Sequence, residues 1–221
     1  MNKLHEGGAA CVVFQTENHI RKLSMMSVIA TLICMMPMSA GASDVPQIVD
    51  GRKSYAVHFF GGQNFDEYFS DFFKGGGYGQ YNDAYLAGAA ASKRLAKWNS
   101  FSIEIEGGAA QHFGAYDATE LWSAVFFRFH GFPWNKYVYT TAAASLGLSY
   151  LSKVPGIEKR KNDGRGSHLL HYFAPEITFA LPEHKDIELV LRLHHRSGVA
   201  GLFNGVRDAT NVPTVGFRFR Y

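Results

Sequence analysis

From Ser54 onward the chain alternates. Phe101, Ile103 and Ile105 are separated by Ser102 and Glu104, with Glu106 next. Leu121, Val125, Phe127 and Phe129 alternate with Trp122, Ala124, Phe126, Arg128 and His130. Phe173, Ile177 and Phe179 do the same with Tyr172, Glu176 and Thr178. A period of two puts the two sets on opposite faces of a strand, because successive Cβ atoms point to opposite sides. The pattern predicts strands at Ser54–Gly61, Ala84–Leu95, Phe101–Gln111, Glu120–His130, Tyr137–Tyr150, Leu169–Leu181, Ile187–Ser197 and Pro213–Tyr221. No segment in this region keeps a helical period for more than about two turns.

Eight is an even number, and the lengths approach the ~9–11 residues with which a tilted strand crosses a bilayer. The connections Lys97–Ser100, Gly131–Lys136 and Pro182–Asp186 are short. Gly62–Asp83, His112–Thr119, Ser152–His168 and Gly198–Val212 are mostly longer and rich in glycine or charge. Short turns on one side and long loops on the other are the habit of outer-membrane barrels. With the first strand starting in the periplasm, parity brings the end of the seventh to the outer surface. The polar faces carry Glu104, Glu106, Glu176 and Glu188 beside Arg128, Arg192, Arg218 and Arg220. An eight-stranded interior holds only side chains, so these charges predict a barrel plugged by ion pairs. A soluble lipid-binding barrel would need the reverse, an apolar interior. The terminal run Thr214-Val215-Gly216-Phe217-Arg218-Phe219-Arg220-Tyr221 resembles the closing strand signal of outer-membrane barrels. The expected fold is all-β, an eight-stranded antiparallel transmembrane β-barrel of the bacterial outer membrane.

The first residues read differently. Arg21 and Lys22 precede the apolar run Met25 to Met38, and Ser39-Ala40-Gly41-Ala42 follows. Basic, apolar, then small is the order of a secretory signal, and the run falls short of the roughly 20 residues of a spanning helix. The expected division is a signal peptide over 1–42, cleaved after Ala42 or alternatively Ala40, and a single barrel domain over 43–221. The long stretch Met1 to His19 suggests a start assigned too far upstream. Both cysteines, Cys11 and Cys34, fall in the leader, so no disulfide or cysteine metal site is expected in the barrel. The formal charge of +3 drops to about +2 without the leader, and no basic helix or aromatic-basic motif points to nucleic acid. His58, His112, His130 and His171 have no compact metal-ligand spacing, so no metal is expected.

Candidate chemistry sits near the end of the chain. On Ile187–Ser197, His195 and Ser197 continue the face of Ile187, Leu189, Leu191 and Leu193, while Glu188, Val190, Arg192, His194 and Arg196 lie opposite. A histidine and a serine capping a greasy face suit the rim of a membrane barrel, where headgroup meets acyl chain. A serine hydroxyl becomes nucleophilic when a base takes its proton, and His195, two residues away on the same face, is placed to do so. Asp208, in the following loop, is the nearest acid in sequence that can orient the imidazole. Asn204 and a backbone N–H near Gly198 are candidate oxyanion donors. By spacing alone, a rim histidine and serine bonding headgroups is the favoured reading; placement on the lipid-facing side near the outer leaflet brings the hydrolase close to even with it.

His195-Arg196-Ser197 followed by Asn204 and Asp208 resembles the outer-membrane lipid A 3-O-deacylase (PagL) family over about Leu191–Tyr221. The resemblance implies an eight-stranded barrel with a serine hydrolase site facing the outer leaflet. Ser197 would be the nucleophile, His195 the base, Asp208 the orienting acid, and Asn204 and Gly198 the oxyanion donors. It implies hydrolysis of an ester-linked acyl chain of lipid A, with no cofactor. Lipopolysaccharide is then the substrate, the outer membrane the location, and the barrel-assembly machinery a partner during insertion; a homodimer stays open. Arg196 and Arg207 flank the proposed site as candidate phosphate contacts, and the loop with Lys153, Lys159, Arg160, Lys161 and Arg165 is either a second phosphate contact or a solvated surface. Two departures stand out: the family's acid is usually glutamate, and Gly198 replaces a common asparagine after the serine. Oxidation of the lipid A sugar by a related barrel, or a non-catalytic structural or adhesive barrel, are the alternatives. The cluster Phe65, Tyr68, Phe69, Phe72 and Phe73 reads as an interface belt or the wall of an acyl groove.

Overall fold

A computed structural model describes residues 47–48, 53–66, 68–72 and 81–221. The expected signal peptide lies outside these residues. The elements in chain order are β1 (Gln47–Ile48), β2 (Tyr55–Phe65), α1 (Phe69–Phe72), β3 (Tyr81–Trp98), β4 (Phe101–Gly114), β5 (Ala118–Phe129), β6 (Tyr139–Leu151), α2 (Gly156–Lys161), β7 (Leu169–Phe173), β8 (Glu176–Ala180), β9 (Ile187–Ser197) and β10 (Asn211–Arg220).

The strands pair antiparallel in sequence order from β2 round to β10, and β10 pairs with β2. The ring is closed, so its members have no free edge to template aggregation. It has eight staves, because β7 and β8 are two halves of one. Both halves pair with β6 on one side and β9 on the other. The sequence predicted one strand over Leu169–Leu181; the break falls at Ala174-Pro175. Proline has no N–H to give a ladder. Its carbonyl still accepts from Leu193 N–H at 3.0 Å, and the Ala174 N–H turns inward to Ser145 Oγ at 2.8 Å.

β3, β4 and β5 run beyond their predicted ends. The expected loop His112–Thr119 shrinks to the three residues between Gly114 and Ala118, and the turn between β3 and β4 is only Asn99 and Ser100. Asn99 adopts φ 46°, the left-handed conformation that tight hairpins ask of a turn residue. Tyr55 and Tyr221 bond backbone to backbone at one rim; β2 ends and β3 begins at the other, where the segments 152–168 and 198–210 emerge.

The faces are inverted relative to a soluble barrel. Phe59, Leu121, Phe127, Leu146, Val215 and Phe217 are exposed on the outer wall. Inside, Glu176 accepts from Arg128 (2.8 Å), Arg192 (2.6 Å) and Arg218 (2.7 Å). Glu104 takes Arg94, Arg128 and Arg220; Glu188 takes Arg218 and Arg220; Glu106 takes Arg192. Burying an ion costs several kcal/mol unless its partners and remaining hydrogen-bond sites are satisfied; here Glu104, Glu176 and Glu188 are each shared by two or three guanidinium groups, and Glu106 takes Arg192 and the Trp122 indole N–H. Nearer the loop-bearing rim the network turns to histidine: Glu120 binds His112 at 2.7 Å, His194 at 2.9 Å and Ser149 at 2.6 Å. His194 is therefore an interior structural group, as its parity predicted.

An outer wall of apolar side chains, an interior of paired charges and a closed backbone ladder are what a hydrocarbon solvent selects. Water would select the opposite arrangement.

Candidate active site

The register of three strands builds the site. β9 sends Leu191, Leu193, His195 and Ser197 outward. Across from His195 stand Asn211 at the start of β10 and Phe173 at the end of β7. Across from Ser197 stands His171. Asn211, His195 and Phe173 thus form one row of the outer wall, with Ser197 and His171 in the next row toward the loops.

His195 is on the outer face yet only 5% exposed. The chain after β2 folds back over it: the Phe69 ring, from α1, lies 4.4 Å from the imidazole, and Phe173 meets it edge-on at 6.5 Å. Phe69 and Phe173 also touch each other, T-shaped at 5.7 Å. The predicted aromatic cluster therefore contributes at least Phe69 to the site.

His195 Nδ1 lies 2.5 Å from Asn211 Oδ1. The Asn211 amide nitrogen donates onward to Asp208, at 3.1 and 3.4 Å from its two carboxylate oxygens. The Phe69 N–H donates to the same carboxylate at 2.7 Å. A carboxylate only accepts, so Asp208 fixes which way the Asn211 amide faces, and the amide oxygen fixes the proton on Nδ1. The bare lone pair is then on Nε2, the nitrogen a serine base needs.

Asp208 was expected to meet His195 directly; Asn211 stands between them. Sequence reasoning missed Asn211. The predicted last strand began at Pro213 and left Asn211 in the loop before it; β10 starts two residues earlier, which puts Asn211 on the outer face with Val215 and Phe217 and pairs it with His195. His171 was missed as a site residue because pairing it with Ser197 needed the register. Ser197 Oγ makes no hydrogen bond among the described residues, so the direct Ser197–His195 bond expected from spacing is not formed here. Such bonds are often loose before substrate binds.

The other candidates scatter. Gly198 closes the turn after Ser197, its carbonyl accepting from Gly201 N–H (3.2 Å) and Phe203 N–H (3.0 Å). Val199 and Ala200 follow with φ 49° and 56°. A β-branched residue in the left-handed region is strained, and the strain sits two residues from Ser197. Asn204, also left-handed at φ 55°, lines a cavity with Lys153, Lys159, Arg165 and His168. Arg196 is corrected outright as a phosphate contact: it points into the barrel, wholly buried, donating to Ser149 Oγ, Glu158 and the carbonyls of Ser167 and His168. Its parity on β9 leaves it no path to the outer wall. Arg207 is exposed, its N–H held by Asn162 Oδ1 at 2.7 Å. Asn162 also donates to the Asp208 carbonyl at 2.7 Å, so the end of α2 clamps the loop that carries the acid. Burial pushes the neighbouring Glu158 carboxyl above its ordinary value, against the pull of Arg196 and the Ser167 N–H.

No family model matches the chain, and no curated protein matches it in sequence. Among solved structures it is similar to the outer membrane enzyme PagL, at 14% identity and a TM-score of 0.53 over 75% of this chain and 99% of that one. It is also similar to Neisserial surface protein A (NspA), at 11% identity and 0.49 over 78% and 100%. Ail of Yersinia pestis, in a phospholipid bilayer nanodisc, follows at 13% identity and 0.39 over 78% and 100%. At such identities the likeness is one of fold: the chain has the fold of the eight-stranded β-barrels of the bacterial outer membrane.

Proposed function

We propose that this barrel is an outer-membrane serine hydrolase that removes an ester-linked acyl chain from lipid A, its site facing the outer leaflet. The observation that carries the reading is the chain Asp208–Asn211–His195 on the lipid-facing wall. It ends with a bare Nε2 on the same strand face as Ser197.

In the proposed reaction Ser197 Oγ attacks the ester carbonyl as His195 Nε2 takes its proton. The imidazolium is stabilised by Asn211, whose amide is polarised by Asp208. An amide in this position orients and stabilises the imidazole without accepting its proton, as in the Cys-His-Asn arrangement of other hydrolases. His195 then returns the proton to the departing sugar oxygen. Water repeats the sequence on the acyl-serine and releases the fatty acid. The Gly198 N–H remains the proposed oxyanion donor, and the His171 imidazole replaces Asn204 beside it. Leu191 and Leu193 continue the face below His195 and suit an acyl chain.

That the Ser197 hydroxyl makes no hydrogen bond among the described residues favours a second reading, a structural barrel. Mass spectrometry of lipid A from cells expressing the wild type, Ser197→Ala and His195→Ala separates the two, with insertion checked by heat-modifiable gel mobility. Loss of one hydroxyacyl mass in the wild type alone supports the hydrolase. Unchanged lipid A with all three proteins inserted sinks it, and a gain of oxygen mass would mean sugar oxidation instead.

A further inference from the structure

The segment 152–168 and Asn204, in the turn after Ser197, wall an open cavity of about 680 Å³ at the loop-bearing rim. Its lining includes Lys153, Lys159, Arg165, His168, Ser152 and Asn204 and, among the described residues, no acidic one. Among the described residues, neither lysine nor Arg165 pairs with a carboxylate, although Arg160 on the same loop pairs with Asp66 at 3.9 Å. Cations facing one space without a counter-charge repel each other unless an anion enters. Asn204 adds an amide donor, and its left-handed turn residues Asn204 and Gly205 (φ 71°) make the close approach to the guanidinium of Arg165. A Cβ at Gly205 would stand 2.8 Å from Arg165 Nη1.

The depth of the cavity is marked by His168, which stacks on Tyr150 at 5.8 Å. Tyr150 ends the outward row of β6 with Leu146 and Leu148, the position of an interface aromatic. Headgroup phosphates lie at that level. His168 is three residues from His171, the partner of Ser197, about 10 Å along a strand. Asn204 lies in the turn that follows Ser197.

We propose that this cavity is a phosphate-recognition site for the phosphorylated headgroup of an acylated glycolipid, with Lys153, Lys159, Arg165 and Asn204 as its donors. Asn204 then belongs to substrate recognition, not to the oxyanion hole. The site binds whether or not Ser197 is a nucleophile, so the two readings fail separately.

The test uses the full chain carrying Ser197→Ala, which blocks turnover, in zwitterionic phosphatidylcholine nanodiscs. Binding of a monophosphorylated acylated glucosamine is compared with that of its phosphate-free analogue and with inorganic phosphate alone. Lys159→Ala, Arg165→Ala and Asn204→Ala are set against Lys136→Ala at the opposite rim, each checked for heat-modifiable mobility. The phosphorylated lipid should bind more tightly than its analogue, lose about tenfold in affinity for each cation removed and weaken as salt rises. Asn204→Ala should also weaken it, and Lys136→Ala should change nothing. Inorganic phosphate binding as tightly as the lipid, with the same dependence on Lys159 and Arg165, would support the site with a soluble anion as its source. Equal binding of the phosphate-free analogue, or indifference to Lys159→Ala and Arg165→Ala in properly folded barrels, would overturn the proposal.

Discussion

Asn211 accepts the Nδ1–H of His195 across the β9–β10 ladder at 2.5 Å, and among the described residues no carboxylate touches that imidazole directly. The hydrogen-bonded path from Asp208 to His195 runs through a neutral amide. This relationship ranks the residues around Ser197 and gives the first prediction.

Asn211→Ala frees the ring and lets the wrong tautomer form. The rate of ester cleavage in detergent micelles should fall by about 10²–10⁴, near the loss from His195→Ala. Asp208→Ala keeps the Asn211 side chain but removes the acceptor that fixes its facing and the one that takes the Phe69 N–H, so it should cost less than Asn211→Ala, about tenfold. Equal losses at Asp208 and Asn211 would mean that the acid contacts His195 during turnover. For the proposed oxyanion role of His171, kcat should fall in His171→Ala and recover in part in His171→Gln, with KM little changed.

Gly198 permits a contact no other residue tolerates. A Cβ there would stand 2.0 Å from the Val206 carbonyl oxygen, and backbone cannot swing aside as a side chain can. Gly198→Ala should open the 198–206 turn at a cost of about 1–3 kcal/mol while leaving the barrel inserted. Limited proteolysis should cut this loop faster in the variant, and an unchanged cleavage rate would contradict the geometry.

Glu176 is shared by Arg128, Arg192 and Arg218, so Glu176→Gln leaves buried cations short of a counter-charge. Urea unfolding from lipid vesicles should show a loss of about 3–5 kcal/mol. Lys53→Ala, which breaks the exposed 3.6 Å pair with Asp186, should cost under about 1 kcal/mol. Similar losses in the two variants would argue that the interior is wet.

His130, in the turn after β5, bonds Ser102 Oγ at 2.8 Å and the Tyr139 hydroxyl at 2.9 Å. Burial, helped by Arg128 and Arg94, lowers its pKa to about 3. The folded state holds the neutral ring, so the unfolded chain takes up the proton first as pH drops. Stability from this group is fully present above about 6.5, the unfolded value, and drains away as pH falls toward the folded one. The urea midpoint should therefore drop between pH 7.5 and pH 5, and His130→Gln should flatten the slope. Parallel slopes in the two proteins would refute the assignment.

Much of this was legible in the order of residues. Strand positions, the two faces and the eight staves follow from a period of two, because the pleat sends neighbouring side chains to opposite sides whatever the partners are. Glu104, Glu176, Arg192 and Arg218 were readable as interior charges on that ground alone, and His195 and Ser197 as neighbours on the outer wall. The break of the sixth stave at Pro175 was less visible, since a proline marks a missing donor without saying which strand loses it.

Tertiary structure alone decided who stands beside whom. Asn211 is 16 positions from His195 in the chain and becomes its partner through the register of two strands, which alternation does not specify. Phe69 reaches His195 by folding back over the wall, and Asn204 is carried by a strained turn into a basic cavity. Local pattern assigns each residue a face, because a face depends only on the backbone beside it. A site depends on contacts between distant segments, and those are set by closure of the ring and packing of its loops.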